Sequence, residues 1–291
     1  MSTRPLLHVV PGLNQVGNGV SVAARLIAHH QDVAICAEIG DFLRLSRSKL
    51  REFDEIWVHS NWRLDVLWAC WRVIRAGVKL VRMPHGNLDP VRLDYHGWKK
   101  SPWRLIELYL YRHSAKVVVT CEAEAEWCRA WGVSAPLEVC DLKRFFNFEK
   151  RDPSPLSEIK GKRSYHVLYL GRNHPLKDVD LLIEAVHEVR GGTQTAQSLE
   201  LRCISDHSGR ELEDDWHWCD ILVLPTRTEN FGLVIAEAIE RGKYVLTTDG
   251  AVEWIDYFNG NPKKGRIIQN YRNADRVTRR ALLVQELRML T

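Results

Sequence analysis

Short apolar runs separated by longer helix-like segments constrain this chain more than any other feature of its 291 residues. LLHVV (6–10), DVAIC (32–36), EIWVH (55–59), VKLVRM (78–83) and KVVVT (116–120) are rich in β-branched residues and have the length of strands rather than helices. Apolar strands buried on both faces belong to parallel sheets, whose neighbours must be joined by crossover helices, so the pattern predicts repeated βα units. A second series supplies HVLYLG (166–171), LELRCIS (199–205), DILVLP (220–225) and YVLTT (244–248), with helices expected over 178–190 and 231–241. A closing helix is expected over 273–290, capped by Asn273 and carrying Val277, Ala281, Val284 and Leu287 at helical spacing.

Between the two series, residues 148–164 hold two prolines and eight charged side chains among turn formers. The expected organisation is therefore a first domain over 1–150, a linker over 151–163 and a second domain over 164–291. Both read as doubly wound, Rossmann-like α/β domains. Ligands of such sheets bind beyond the carboxyl ends of the strands, which for two facing domains means the cleft.

The bulk numbers exclude several classes. The formal charge is +4, concentrated in residues 1–150, where 21 Lys and Arg face 16 Asp and Glu. That excess is too small and too scattered for nucleic-acid binding, but suits an acidic ligand or an anionic membrane surface. The seven cysteines form no CxxC pair and match no familiar metal-ligand spacing, so reduced structural thiols are expected. No stretch approaches the roughly 18 uninterrupted apolar residues of a membrane span, and the start of the chain has no signal-peptide pattern. A cytoplasmic protein, free or peripheral to the membrane, is expected.

One segment carries chemistry. Strand DILVLP ends at Pro225, and the loop after it delivers Glu229 to the carboxyl edge of the sheet before a helix opens near Phe231. Gly232 lets backbone approach a ligand closely, and the free N–H groups of a helix start make a phosphate site. Glu237 follows eight residues after Glu229, in a helix apolar nearly all round. A carboxylate there is costly unless something hydrogen-bonds it, and a ribose with two hydroxyls would do so.

The run Glu229-Asn-Phe-Gly-Leu-Val-Ile-Ala-Glu237, after a strand ending in proline and before AIERG and another strand, resembles the signature of retaining glycosyltransferases of family 4, which have the two-domain GT-B fold. The resemblance implies that Glu229 contacts the donor sugar and Glu237 the ribose. It implies that the segment Asn230, Phe231, Gly232, Leu233 and Val234 offers backbone to the diphosphate. In LYLGRNHPLKDVDLLIEAV (168–186), Arg172 and Lys177 resemble the family's diphosphate clamp, although Asp178 stands where a glycine is usual. Gly17 and Gly19 resemble its N-terminal glycine loop; a dehydrogenase fingerprint would need a glycine where Val22 stands. His85, in a Pro-His-Gly turn, resembles the histidine that faces the sugar from the first domain, with Asn87 and Asp89 on the acceptor side.

The resemblance implies a retaining transferase moving a sugar from a nucleotide sugar to a glycan or lipid-linked acceptor, in cell-surface polysaccharide or lipopolysaccharide assembly. The nucleotide sugar enters as substrate, so no cofactor and no metal are expected. Asp178-Val-Asp180 is formally a DxD string but lies at a helix start and reads as capping, and Glu213-Asp214-Asp215 reads as a solvated helix face. The segment 98–116 interleaves Trp98, Trp103, Tyr109 and Tyr111 with five cations, which suits either an anionic bilayer surface or a helix packed on the first sheet. The second domain is short between Leu199 and Asp220. That leaves room for a catalytically weak nucleotide-sugar-binding partner subunit, or for an inverting enzyme with Asp89 as base.

Overall fold

In the first half, β1 (Leu6–Val10) directs Leu7 and Val9 into a core shared with Ile56, Val58 and Leu80, and turns His8 and Val10 to the opposite face. This is the two-faced burial that the apolar runs predict. The computed structural model describes residues 4–95, 97–151, 164–192, 198–205 and 208–290. The chain divides into two compact units, Met1–Phe145 and Phe146–Thr291. Residues 152–163, where the linker was expected, lie outside the described residues. Phe146 and Phe148 group with the second unit because they pack on Phe231, Trp254 and Tyr257.

In the first unit β1 is joined by β2 (Ala34–Glu38), β3 (Glu55–His59), β4 (Lys79–Met83), β5 (Lys116–Val119) and β6 (Leu137–Val139). All pair in parallel, in the order β2-β1-β3-β4-β5-β6. Numbering only helices of eight or more residues, the connections include α1 (Gly19–His29), α2 (Leu64–Ala76), α3 (Arg104–Arg112) and α4 (Glu122–Trp131). The order reverses between β1 and β3, so the loops after those two strands diverge and open a crevice at the carboxyl edge.

The second unit repeats the scheme. β7 (Ser164–Leu170), β8 (Ser198–Ile204), β9 (Ile221–Leu224), β10 (Tyr244–Thr248) and β11 (Gly265–Ile268) pair in parallel as β11-β10-β9-β7-β8. Their helices are α5 (Val179–Gly192), α6 (Gly209–Trp218), α7 (Leu233–Glu240) and α8 (Arg276–Leu290). A single helix, α6, spans β8 to β9, which is where the sequence looked short. The order reverses between β7 and β9. Both units are therefore Rossmann-like, as the sequence predicts.

Two expectations are corrected here. Asp178 stands at the cap position of α5, its carbonyl accepting from Leu182 N at 3.1 Å, but its carboxylate does not cap: it accepts from Tyr271 Oη at 3.0 Å and pairs with Arg279 Nε at 2.7 Å, tying the start of α5 to α8. Asp180 pairs with Arg276 on the same helix. In the 213–215 cluster, Asp215 is buried and pairs with Arg202, while Glu213 pairs with Arg241.

Candidate active site

The loops leaving β7 and β9 meet at the reversal point of the second sheet. The β7 loop carries Arg172 and Lys177, and the β9 loop carries Thr226, Thr228 and Glu229. Lys177 crosses from one to the other: its Nζ donates to Thr226 Oγ1 at 3.1 Å, to the Thr228 carbonyl at 3.0 Å and, in a short ion pair, to Glu229 Oε2. The pair is mostly shielded, with side-chain exposures of 16% and 17%. A backbone bond from Arg227 N to the Leu176 carbonyl holds the two loops in register, and one from Glu229 N to the Gly250 carbonyl ties the β9 loop to the loop after β10, both at 2.9 Å. Lys177 and Glu229 are therefore brought together; Arg172, on the same loop, is exposed, and its carbonyl accepts from Tyr169 Oη at 3.0 Å.

Gly232 sits at φ +70° as the cap of α7, a conformation glycine adopts without cost, and a Cβ there would come within 2.9 Å of Glu229 Cγ. Leu233 and Val234 open the helix, so their N–H groups have no carbonyl one turn earlier and point out of its positive end. Phe231 is buried against Trp254 and Phe146. Asn230 is buried with its side-chain oxygen unpartnered among the described residues. Glu237 is half-buried one turn into α7; burial raises its pKa, Arg241 opposes the shift, and Glu213 and Glu240 add to it. Such a carboxylate gains from a hydroxyl donor.

In the first unit, the loop after β1 runs into α1. Gly17 takes φ +72°, and Gly19 is the first helical residue behind the capping side chain of Asn18. Glu38 fixes this loop by accepting from Gly12 N at 3.0 Å and Leu13 N at 2.5 Å. His85 occupies the turn after β4 at φ +52°, an uncommon conformation for a residue with a Cβ. Glu124 holds that turn, accepting from Gly86 N at 2.5 Å and from Thr120 N at 2.8 Å. Asn87 donates weakly to Ser60 Oγ at 3.4 Å, whereas Asp89 is fully buried and caps Val91 N at 2.8 Å. A carboxylate committed to that cap is poorly placed to act as a base.

Sequence reasoning missed several of these residues. Gly250 has no room for a side chain, since a Cβ would lie 2.2 Å from the Thr226 carbonyl oxygen. It lies on the next strand's loop, where no local pattern announces it. Glu38 and Glu124 act through backbone across 25 or more residues. His8 had a legible signal, a polar residue in the middle of an otherwise apolar strand, whereas His59 closes a strand that already begins with Glu55.

Two parallel doubly wound units, each with a built loop edge, the second with a cation and carboxylate beside a helix start, define a GT-B type of architecture. The sequence comparison identifies the family. The chain belongs to the glycosyltransferases that combine a glycosyl transferase 4-like domain, matched over residues 8–140, with a domain of the glycosyl transferases group 1, matched over residues 164–281. No curated protein sequence matches the chain. Among solved structures, it is similar to sucrose-phosphate synthase from Thermosynechococcus elongatus, at 15% identity and a TM-score of 0.66, with 99% of this chain and 92% of that one covered. An α,α-trehalose-phosphate synthase (UDP-forming) from Burkholderia xenovorans, in complex with glucose-6-phosphate, gives 8% and 0.60, covering 99% and 97%. WaaG, a glycosyltransferase involved in lipopolysaccharide biosynthesis, gives 14% and 0.59, covering 98% and 90%. At these identities the likeness is one of fold.

Proposed function

We propose that the chain is a retaining, metal-independent hexosyltransferase that uses a nucleotide sugar as donor and a glycan or lipid-linked glycan as acceptor, in cell-surface polysaccharide or lipopolysaccharide assembly. The observation that carries this reading is Lys177, fixed by Thr226 and Thr228 against Glu229 at the positive end of α7. A diphosphate arriving there meets a positioned ammonium and the N–H groups of Leu233 and Val234. Exchange of Glu229 for a phosphate oxygen on Lys177 frees the carboxylate to hold sugar hydroxyls. Arg172 adds a second cation to the departing diphosphate, and Glu237 takes the ribose. His85 is assigned to the sugar on the resemblance alone. Retention asks for no strong base, because the acceptor hydroxyl arrives on the face the diphosphate leaves, and the leaving phosphate takes its proton.

Lys177→Ala should lower turnover by about 10²–10³-fold, the usual loss when one preorganised electrostatic contact is removed, while the melting temperature falls by only a few degrees. A thermal-shift screen over nucleotide sugars identifies the donor, and single-turnover transfer is then measured with both proteins. Near-normal turnover in Lys177→Ala refutes the site. Donor-induced stabilisation with no turnover in the unmodified protein refutes the transferase and favours the partner-subunit reading.

We further place the protein on the cytoplasmic face of an anionic membrane. Among the described residues no helix is long and apolar enough to cross a membrane. What supports a surface contact is α3 and the segment before it, where Trp98 and Leu105 are 74% and 79% exposed, Tyr109 is exposed, and Lys99 lies over the Trp98 ring at 5.2 Å. Apolar side chains beside Lys99, Arg104 and Arg112 suit an interface with acidic headgroups. Co-sedimentation with vesicles containing about one third phosphatidylglycerol, lost on Trp98→Ser/Leu105→Ser and absent with neutral vesicles, is expected; equal recovery on both vesicle types overturns it.

A further inference from the structure

Three histidines from distant parts of the first unit form one continuous hydrogen-bonded line. His85 Nε2 lies 2.7 Å from His59 Nδ1, His59 Nε2 lies 2.9 Å from His8 Nδ1, and His8 Nε2 lies 2.8 Å from Gln31 Oε1. His8 stands in the middle of β1, His59 ends β3 and His85 sits in the turn after β4, so the line crosses the sheet at its reversal point. His8 and His59 are fully buried, His85 is nearly so, and Gln31 at the far end is half-buried. Adjacent rings are 5.1 and 5.0 Å apart, and Trp57 stacks on His8 at 4.9 Å. His8 and His59 spend both nitrogens on neighbours and His85 spends its Nε2, so the three do not converge on one point, and among the described residues no such group could hold a metal ion.

A neutral imidazole has one N–H and one bare nitrogen, so a line of neutral rings runs in a single direction, set by the group at its end. Burial keeps these rings neutral: it lowers His8 to about 4 and His85 to about 3, and puts His59 well below its ordinary value, with the neighbouring histidines adding to the shift. Gln31 presents its oxygen, so His8 donates from Nε2. His8 Nδ1 is then bare and accepts from His59 Nε2–H, and His59 Nδ1 in turn accepts from His85 Nε2–H. Among the described residues nothing hydrogen-bonds His85 Nδ1, which is left as a bare acceptor. Glu124 fixes the backbone of the same turn.

We infer that Gln31, His8 and His59 are positioning residues that hold His85 in its Nε2–H form, so that the nitrogen it offers a ligand accepts a hydrogen bond. This rests on the reading that His85 meets the sugar, and it names the specificity of that contact. A bare nitrogen takes a hydroxyl, which can donate, and rejects a carboxylate, a phosphate or a fluorine, which only accept. The sugar position that reaches His85 therefore carries a free hydroxyl rather than a uronate or phosphate.

Long-range ¹⁵N–¹H correlation spectra of the intact protein, labelled on histidine, report the tautomer of each ring. His8, His59 and His85 should all be neutral and protonated on Nε2 at pH 7.5. Gln31→Glu, whose side chain only accepts, should keep that pattern. Gln31→Lys, which only donates, should reverse all three to Nδ1–H. With the donor identified by thermal shift, the unmodified protein and Gln31→Glu should prefer it over its uronate or deoxyfluoro analogue by about tenfold or more, and Gln31→Lys should lose most of that preference. An Nδ1–H form of His85 in the unmodified protein or in Gln31→Glu, or an unchanged tautomer in a folded Gln31→Lys, overturns the inference. Expected tautomers without any transferase activity would leave the line standing and refute the proposed function instead.

Discussion

Asp178 shows how one residue departs from a family pattern without breaking the site. It stands where a glycine is usual, directly after Lys177, and keeps the left-handed backbone at φ +44° although it bears a side chain. That conformation costs on the order of 1 kcal/mol. The carboxylate is buried and its pKa is raised by burial, with Arg279 and Tyr271 opposing the shift. Its partners thus oppose the desolvation without cancelling it. Arg279→Met should destabilise the protein by about 3 kcal/mol, because it removes the ion-pair partner of a buried carboxylate and leaves Tyr271 as its hydrogen-bond donor, with Arg227 acting only at longer range. Adding Asp178→Gly should recover most of the loss, since glycine takes this backbone freely and no charge remains. Urea unfolding of the single and double variants measures both; a single variant as stable as the parent contradicts the account.

At the scale of elements, the sequence was legible where burial was two-sided and illegible where it was not. The limits of β1, β3 and β10 follow from LLHVV, EIWVH and YVLTT without adjustment. β6 and β11 escaped notice: Leu137–Val139 has three residues with an exposed Glu138, and Gly265–Ile268 includes an exposed Arg266. Short edge strands carry too few apolar positions to show a period, and only their neighbours define them. The meeting of Lys177 with Glu229 could be anticipated because both lie in continuous segments with a recognisable pattern. The histidine line could not be assembled in advance, since hydrogen-bonded neighbours in it are up to 51 residues apart and only the strand order brings them together.

For the molecule as a whole, the three buried histidines make the first unit sensitive to acid. Their folded-state pKa values lie below the unfolded value of about 6.5, so the unfolded chain takes up protons first as pH falls. Their contribution is fully present about a pH unit above 6.5 and is lost as pH falls through 6.5 toward 4, by at most about 1.4 kcal/mol per pH unit for each ring. Urea unfolding at pH 7.5, 6.5 and 5.5 should show a small loss over the first interval, about 1 kcal/mol for the three rings, and about three times that over the second. His59→Phe should flatten that drop; a flat profile in the parent protein contradicts it. The second unit has a different dependence, one of sequence order. Asp178 and Arg279 are 101 residues apart. While the ribosome makes the intervening chain, the loop bearing Lys177 already exists without its anchor. The Lys177–Glu229 site is therefore finished only when α8 emerges, and a truncated message that stops short of α8 yields that loop sequence without the fold that positions it.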